Sequence, residues 1–386
     1  MIDRPNHVTN IKRLLRDYPV VAILGARQIG KTTLAGELVK THRGTATQFD
    51  LEDPTAVARL QDPMLTLAPL KGLVVLDEIQ RRPELFPALR VLADRRPIRT
   101  RFLVLGSANP TLLRQSSESM AGRIAFYELP GLSLTEVPRD DFSKLWIRGG
   151  FPRSFLARDE AASYEWRQNF IRTFVERDLP QLGVTIAAET ARRFWTMLAH
   201  YHGQLWNSSE LARAFGVADK TVRGYLDRLS DTLVIRQLAP WHENLGKRQV
   251  KSPKVYVRDT GLLHALLGIP SQLDLSGHPK IGASWEGFVI DQIIAQLRLH
   301  TSEYYFWQTY QGAELDLLVV RDRQRVGFEI KHTSAPALTP SMHTALADLK
   351  LDSINVVHVG ARSFPMAKHI RAVGISDLAD SLTSLL

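Results

Sequence analysis

Over its first 140 residues the chain alternates short apolar runs with amphipathic stretches. Val20–Leu24, Thr47–Leu51, Leu73–Leu76 and Phe102–Leu105 read as buried strands, and helical periodicity follows Gly30, Pro54, Pro83 and Pro110. This alternation predicts a parallel sheet with crossover helices. From about Asp141 to Tyr201 the pattern is helical and rich in Arg and Glu. Between Asn207 and Gly268 it changes to two short helices followed by strand-like runs near Leu233–Leu238 and Lys254–Arg258. The Pro/Ser/Gly-rich stretch Pro270–Pro279 reads as a linker. After it come a helix opening at Trp285, a strand over Gly312–Val320, the polar turn Arg321–Arg325, and a second strand over Val326–Lys331.

Placed on these elements, one motif is specific. Gly25-Ala26-Arg27-Gln28-Ile29-Gly30-Lys31-Thr32, followed by Thr33, has the full phosphate-loop spacing, with an apolar strand before it and a helical stretch after it. Glycines let backbone N–H groups wrap a phosphate, and the helix N-terminus adds positive partial charge. Lys31 is expected on the β- and γ-phosphates and Thr32 on Mg²⁺. Val74-Val75-Leu76 ends in Asp77-Glu78, which suits a magnesium-holding acid and a water-orienting general base. The motifs therefore predict ATP and Mg²⁺ as ligands, and no guanine-reading motif accompanies them. The run Leu103–Leu105 ends in Gly106-Ser107-Ala108-Asn109. It is expected between the two motif strands, where Ser107 or Asn109 would sense the γ-phosphate. Arg123 is a candidate arginine finger for a neighbouring subunit, with Arg114 as its competitor. Such a finger would imply a homo-oligomer.

A second pattern points toward DNA. Asn207 can cap a helix over Ser208–Phe215, with Glu210 as the return half of a capping box and Gly216 as a left-handed stop. A second helix places Val222, Tyr225, Leu226 and Leu229 on one stripe. This is a helix-turn-helix layout. Lys220 and Arg223 on the second helix, and Lys247, Arg248 and Lys251 in the loop between the following strands, are the candidate DNA contacts. The formal charge of +9 and pI near 9.7 favour an anionic partner.

A third cluster is acidic. Alternation puts Glu329 and Lys331 on one strand face, and Asp316 sits amid apolar residues on the paired strand. A buried carboxylate is costly unless it is paired or binds a metal. Asp316 and Glu329, with Glu286 from the helix, are expected to hold Mg²⁺, and Lys331 to stabilise transition-state charge. The Asp…Glu-x-Lys arrangement is similar to the restriction-endonuclease-like, PD-(D/E)xK fold. A structural Asp–Lys–Glu network is the alternative.

The length of 386 residues suggests two to three domains. The absence of cysteine excludes disulfides, thiolate metal sites and cysteine nucleophiles. No apolar signal core opens the chain and no stretch is long enough to span a bilayer, so a cytoplasmic location without membrane contact is expected.

Taken together, Gly25–Leu34, Leu76–Gln80, Gly149–Pro152, Glu176–Leu179 and Lys251–Leu262 resemble the AAA-type ATPases of the AAA_14/DUF4143 architecture over nearly the whole chain. The resemblance implies an α/β fold with an AAA-like P-loop core (1–140), a helical lid (141–201), a winged helix-turn-helix (202–269) and a nuclease-like C-terminal domain (281–386). The function expected is a DNA-associated ATPase. An ATP-dependent regulator, or a protein-remodelling ATPase with a silent C-terminal domain, is the alternative.

Overall fold

The computed structural model describes residues 2–107, 120–181, 186–243 and 249–383. Two compact units result: Met1–Gly131 with Asp231–Leu233, and Leu132–Ser230 with Val234–Leu386.

The first unit is built on five strands, β1 (Val20–Gly25), β2 (Ala46–Asp50), β3 (Gly72–Asp77), β4 (Thr100–Ser107) and β5 (Ile124–Glu128). They lie in the order β2-β3-β4-β1-β5 and every pair is parallel. The four strands read from apolar runs all form. Helices cover both faces of a parallel sheet, so β1 is buried at every position, as a continuous Val/Ile/Leu run requires. β5 escaped the apolar pattern because it is an edge strand, alternating buried Ala125 and Tyr127 with exposed Phe126 and Glu128. Asp53 and Asp62 cap the helices Pro54–Arg59 and Pro63–Leu67 by accepting from Thr55 and Leu65 amides, each at 2.9 Å. The helix expected after Pro110 lies outside the described residues.

In the second unit the predicted helices form as Ser208–Phe215 and Asp219–Asp231. Asn207 accepts from the Glu210 amide at 3.3 Å, and Gly216 has φ +64. The Glu210 carboxylate does not supply the reciprocal half of the capping box and instead accepts from the Tyr201 hydroxyl. Strands β6 (Gln204–Leu205), β7 (Ile235–Leu238) and β8 (Lys254–Val257) form an antiparallel sheet in the order β6-β8-β7. The two-residue β6 is too short to register in a periodicity reading.

The C-terminal sheet contains β9 (Tyr304–Gln308), β10 (Glu314–Arg321), β11 (Gln324–Lys331), β12 (Ser353–His358), β13 (Phe364–Ala367) and β14 (Ile370–Gly374), in the order β13-β14-β12-β11-β10-β9. β9, β10 and β11 are antiparallel neighbours, and β12 joins β11 in parallel. The helix Ile281–Leu297 packs Trp285 and Phe288 as buried anchors. The expected linker is ordered: Ser271 caps a short helix, Gln272–Ser276, and Leu275 is fully buried.

The helical stretch expected as a lid shares its core with the segment that follows it. Buried Arg167 donates to the carbonyls of Ile147 at 3.1 Å and Gly261 at 3.0 Å. Asp259 accepts from the amides of Gly150 at 2.7 Å and Leu262 at 2.8 Å. Burial pushes the Asp259 carboxyl up to about 6. A Cβ on Gly261 would stand 2.2 Å from the Arg148 carbonyl oxygen, so only glycine fits. The Gly149-Gly150 and Asp259-Thr260-Gly261 motifs are thus two halves of one packing knot.

Candidate functional site

The parallel sheet sets the first site. β4 lies between β1 and β3, as expected, and Ser107 pairs in register with Gly25. The strand ends therefore bring the phosphate loop, Asp77 and Ser107 to one edge. Gln28 at φ 62 and Gly30 at φ 103 turn the loop through left-handed conformations. That geometry aims consecutive amides into a cradle. A Cβ on Gly25 would meet the Leu129 carbonyl oxygen at 2.8 Å, which accounts for the glycine there.

Lys31 is 5% exposed and its ammonium folds back onto the carbonyls of Gly25 and Ala26, at 3.1 and 3.0 Å. Burial lowers its pKa to about 8, against the opposing pull of Glu78 and Asp77. A buried ammonium held only by loop carbonyls is matched to an incoming polyphosphate. The Thr32 hydroxyl donates to Asp77 at 2.7 Å. Burial raises the Asp77 carboxyl above the ordinary range, and the Thr32 and Glu78 bonds draw it back. This threonine–aspartate pair is the donor set that a nucleotide's magnesium takes. Glu78 sits at φ 57 just beyond β3, its carboxylate accepting from Gln80. Arg27 leans toward Glu52 at 3.5 Å. Ile29 is buried, and Thr33 is exposed on the first turn of the helix Lys31–Lys40.

Arg123 stands elsewhere. It precedes β5, at the edge where the strands begin, and grips Asp94 through two bonds of 2.6 and 2.9 Å. It is no part of this chain's own phosphate site. Asn109 and Arg114 lie outside the described residues.

The second unit gathers the acidic residues. Leu317 pairs with Phe328 across the β10–β11 hairpin, so one step further sets Asp316 opposite Glu329 and two more set Glu314 opposite Lys331. Directly opposed residues share a face. Asp316 and Glu329 are 4% and 2% exposed. Asp316 accepts from the Ile330 amide at 2.8 Å, and Lys331 pairs with Glu329 at 2.6 Å. The other Glu329 oxygen is buried and finds no partner. Burial, reinforced by Asp316, raises the Glu329 carboxyl to about 8.

Glu286 departs from the expected role of third ligand. Tyr256 donates to its carboxylate at 2.5 Å and Lys254 lies 3.4 Å away, both from β8. Burial opposes the charge on Lys254, but Glu286, Asp316 and Glu314 outweigh it and raise its pKa. Glu286 is thus engaged by Lys254 as Glu329 is by Lys331, and Asp316 with the unpartnered Glu329 oxygen are the groups left to face an ion. Among the described residues no three His, Asp or Glu side chains stand close enough to hold an ion. Sequence reasoning missed Lys254, Tyr256 and Glu314. Alternation along Lys254-Val255-Tyr256 and Glu314-Leu315-Asp316 carried a signal, but only pairing reveals what each face meets.

A cleft of about 790 Å³ opens beside this cluster, lined among others by Trp206, Asn207, Glu210, Lys254, Glu314 and Asp316. The loop after β7 bounds the region by docking on the edge of β9. The Trp241 amide donates to Phe306 at 2.7 Å and the Val250 amide to Gln308 at 3.1 Å. Trp241 packs on Tyr305 at 4.9 Å, and Arg325 pairs with Glu243 at 2.6 Å. Of the expected DNA contacts, Lys220 and Lys251 are exposed, Arg223 pairs with Asp227 at 3.2 Å, and Lys247 and Arg248 lie outside the described residues. No helix among the described residues is long and apolar enough to cross a membrane.

Comparison with known proteins matches three family models. The AAA domain covers residues 17–138, a domain of unknown function (DUF8612) covers 139–273, and a second (DUF4143) covers 281–378. Two curated relatives are the uncharacterized proteins Rv2008c of Mycobacterium tuberculosis and Mb2031c of Mycobacterium bovis. Each is 50% identical over 391 residues, which span 100% of this chain and 88% of theirs. Among solved structures, the Walker-type ATPase PABY2304 of Pyrococcus abyssi aligns at 14% identity and TM-score 0.48, covering 69% of this chain and 96% of its own. The RuvB Holliday junction branch migration motor of Thermotoga maritima aligns at 18% identity and TM-score 0.30, covering 61% and 90%.

Proposed function

From the premise that this chain belongs to the AAA-type P-loop ATPase family with a C-terminal DUF4143 domain, we propose that it hydrolyses Mg·ATP and couples turnover to a C-terminal half directed at DNA. The observation that carries the first part is the Thr32–Asp77 pair at 2.7 Å beside a buried Lys31. Loop amides and Lys31 bind the phosphates, and Thr32 with Asp77 would hold a magnesium ion, which would supply positive charge to the phosphates. Glu78, steadied by Gln80, orients the attacking water. Ser107, in register with Gly25 at the end of β4, is the candidate contact to the γ-phosphate. Arg123, once released from Asp94, is the candidate finger toward a second copy.

The DNA reading is supported by the order helix, strand, two helices, hairpin over 188–257, which suits a winged helix. For the C-terminal sheet, three antiparallel strands followed by a helix and a parallel strand suit a nuclease-like core. There Asp316 and Glu329 would hold a divalent ion and Lys331 would stabilise charge on a phosphodiester. A regulatory reading with a silent C-terminal domain is favoured by one observation, the sequestration of Glu286 by Lys254 and Tyr256. Two assays decide. ATP turnover in wild type and its loss in Lys31→Ala support the first part, and wild-type-like turnover in Lys31→Ala sinks it. Mg²⁺- or Mn²⁺-dependent DNA cleavage by wild type but not Asp316→Ala supports a nuclease, whereas intact DNA with both proteins leaves the regulatory reading.

A further inference from the structure

All five strands of the first unit begin on one edge, opposite the phosphate loop. The carbonyls of Thr45, Arg99, Pro19 and Arg123 accept from the amides of Leu73, Gly72, Phe102 and Val20, so the residues just ahead of the strands stand side by side. This brings Arg16, Arg43, Lys71, Arg95, Arg96 and Arg99 to a single edge, all exposed. Two acids lie there, Asp17 and Asp94, and Asp94 is occupied by Arg123. Among the described residues none of the six cations stands within ion-pair distance of a carboxylate, and the one acid that pulls on any of them, Asp94 on Arg96, is already gripped by Arg123. Arg95 and Arg96 donate only to carbonyls, of Ala68 at 3.4 Å, and of Ala93 and Arg95 at 3.2 and 3.1 Å.

We propose that this edge binds the phosphodiester backbone of a nucleic acid. Like charges crowded without counter-charges repel one another, and the arrangement is stabilised when an external polyanion supplies the missing charge. Four inter-strand spacings make the edge roughly 19 Å long. Duplex DNA presents about 11 phosphate charges over that length. Two large apolar side chains, Tyr18 and Ile98, each 36% exposed, accompany the six cations, so charge outweighs apolar surface on this edge. Arginine forks suit phosphate oxygens and read no base sequence. The surface is independent of the carboxylate cluster and of the helix Asp219–Asp231, and it adds a binding site that neither supplies.

The test is the affinity of the full-length chain for a short duplex DNA, by fluorescence anisotropy at low and at roughly physiological salt. The probe protein is the triple variant Arg95→Gln, Arg96→Gln, Arg99→Gln, confined to the exposed segment ahead of β4. Binding is expected to weaken about tenfold or more at the lower salt, and the slope of log K against log salt to flatten by about 2–3. ATP turnover should stay at the wild-type rate. An unchanged slope and affinity would overturn the proposal, as would a wild type that binds no duplex at low salt. If the substitutions alter self-association and leave DNA binding as it was, the edge serves a protein contact and the proposal also fails. Because turnover is read separately, none of these failures touches the nucleotide site.

Discussion

Replacing Glu329 by glutamine tests whether the C-terminal carboxylates are functional or structural. The side chain is 2% exposed, one oxygen is unpartnered, and burial raises its pKa to about 8 from an ordinary 4.5. The folded state therefore binds more protons than the unfolded state between those values. Stability is lost as pH rises through that window and regained as pH falls. At pH 7 the cost is about 1.4 kcal/mol for each of roughly 2.5 pH units, or about 3 kcal/mol, growing to about 5 above pH 8. Glutamine has the same shape and no charge to bury. The pull of half-buried Lys331 on that charge is already contained in the raised value. Glu329→Gln should thus stabilise the second unit by about 3 kcal/mol at pH 7, with a larger gain at pH 8 and little at pH 5. All seven tryptophans lie between 146 and 307, within that unit, so urea unfolding followed by tryptophan fluorescence reports it selectively. A gain of that size would mean that the Glu329 carboxylate does not serve stability. If the variant is less stable at every pH, or its advantage does not grow with pH, Glu329 belongs to a stabilising network with Lys331 and the metal-ligand reading fails.

Asp77→Asn should keep the fold but weaken magnesium-dependent nucleotide binding at least tenfold, measured by titration calorimetry with and without Mg²⁺. Lys31, lowered to about 8 by burial, should gain a proton when phosphates bind at pH 8.5. Calorimetry in buffers of different ionisation enthalpy should show net uptake there and none near pH 6.5. Gly261→Ala drives a methyl to 2.2 Å from the Arg148 carbonyl. It should cost about 3 kcal/mol or more, or prevent folding, and thermal unfolding read by tryptophan emission checks this. His202 and His264 are buried, with pKa values pushed down to about 3. Their contribution is present above the unfolded value near 6.5 and fades as pH falls below it, so His264→Gln should flatten the acid limb of the unfolding curve.

Local chemistry was legible without coordinates. The phosphate loop, the Asp77-Glu78 strand end, the cap at Asn207, the stop at Gly216 and the β10–β11 hairpin all follow from short-range spacing, because loop turns, caps and side-chain alternation depend on neighbours within a few residues. Pairing across the fold was not legible. That Glu286 is claimed by Tyr256 and Lys254, that Arg123 is bound to Asp94, and that the Trp241 loop docks on β9 are contacts between distant segments. Asp259 closing on Gly150, and six cations from separate loops converging on one sheet edge, depend on strand order. Burial and long-range register decide those positions, and neither is encoded in any single stretch of sequence.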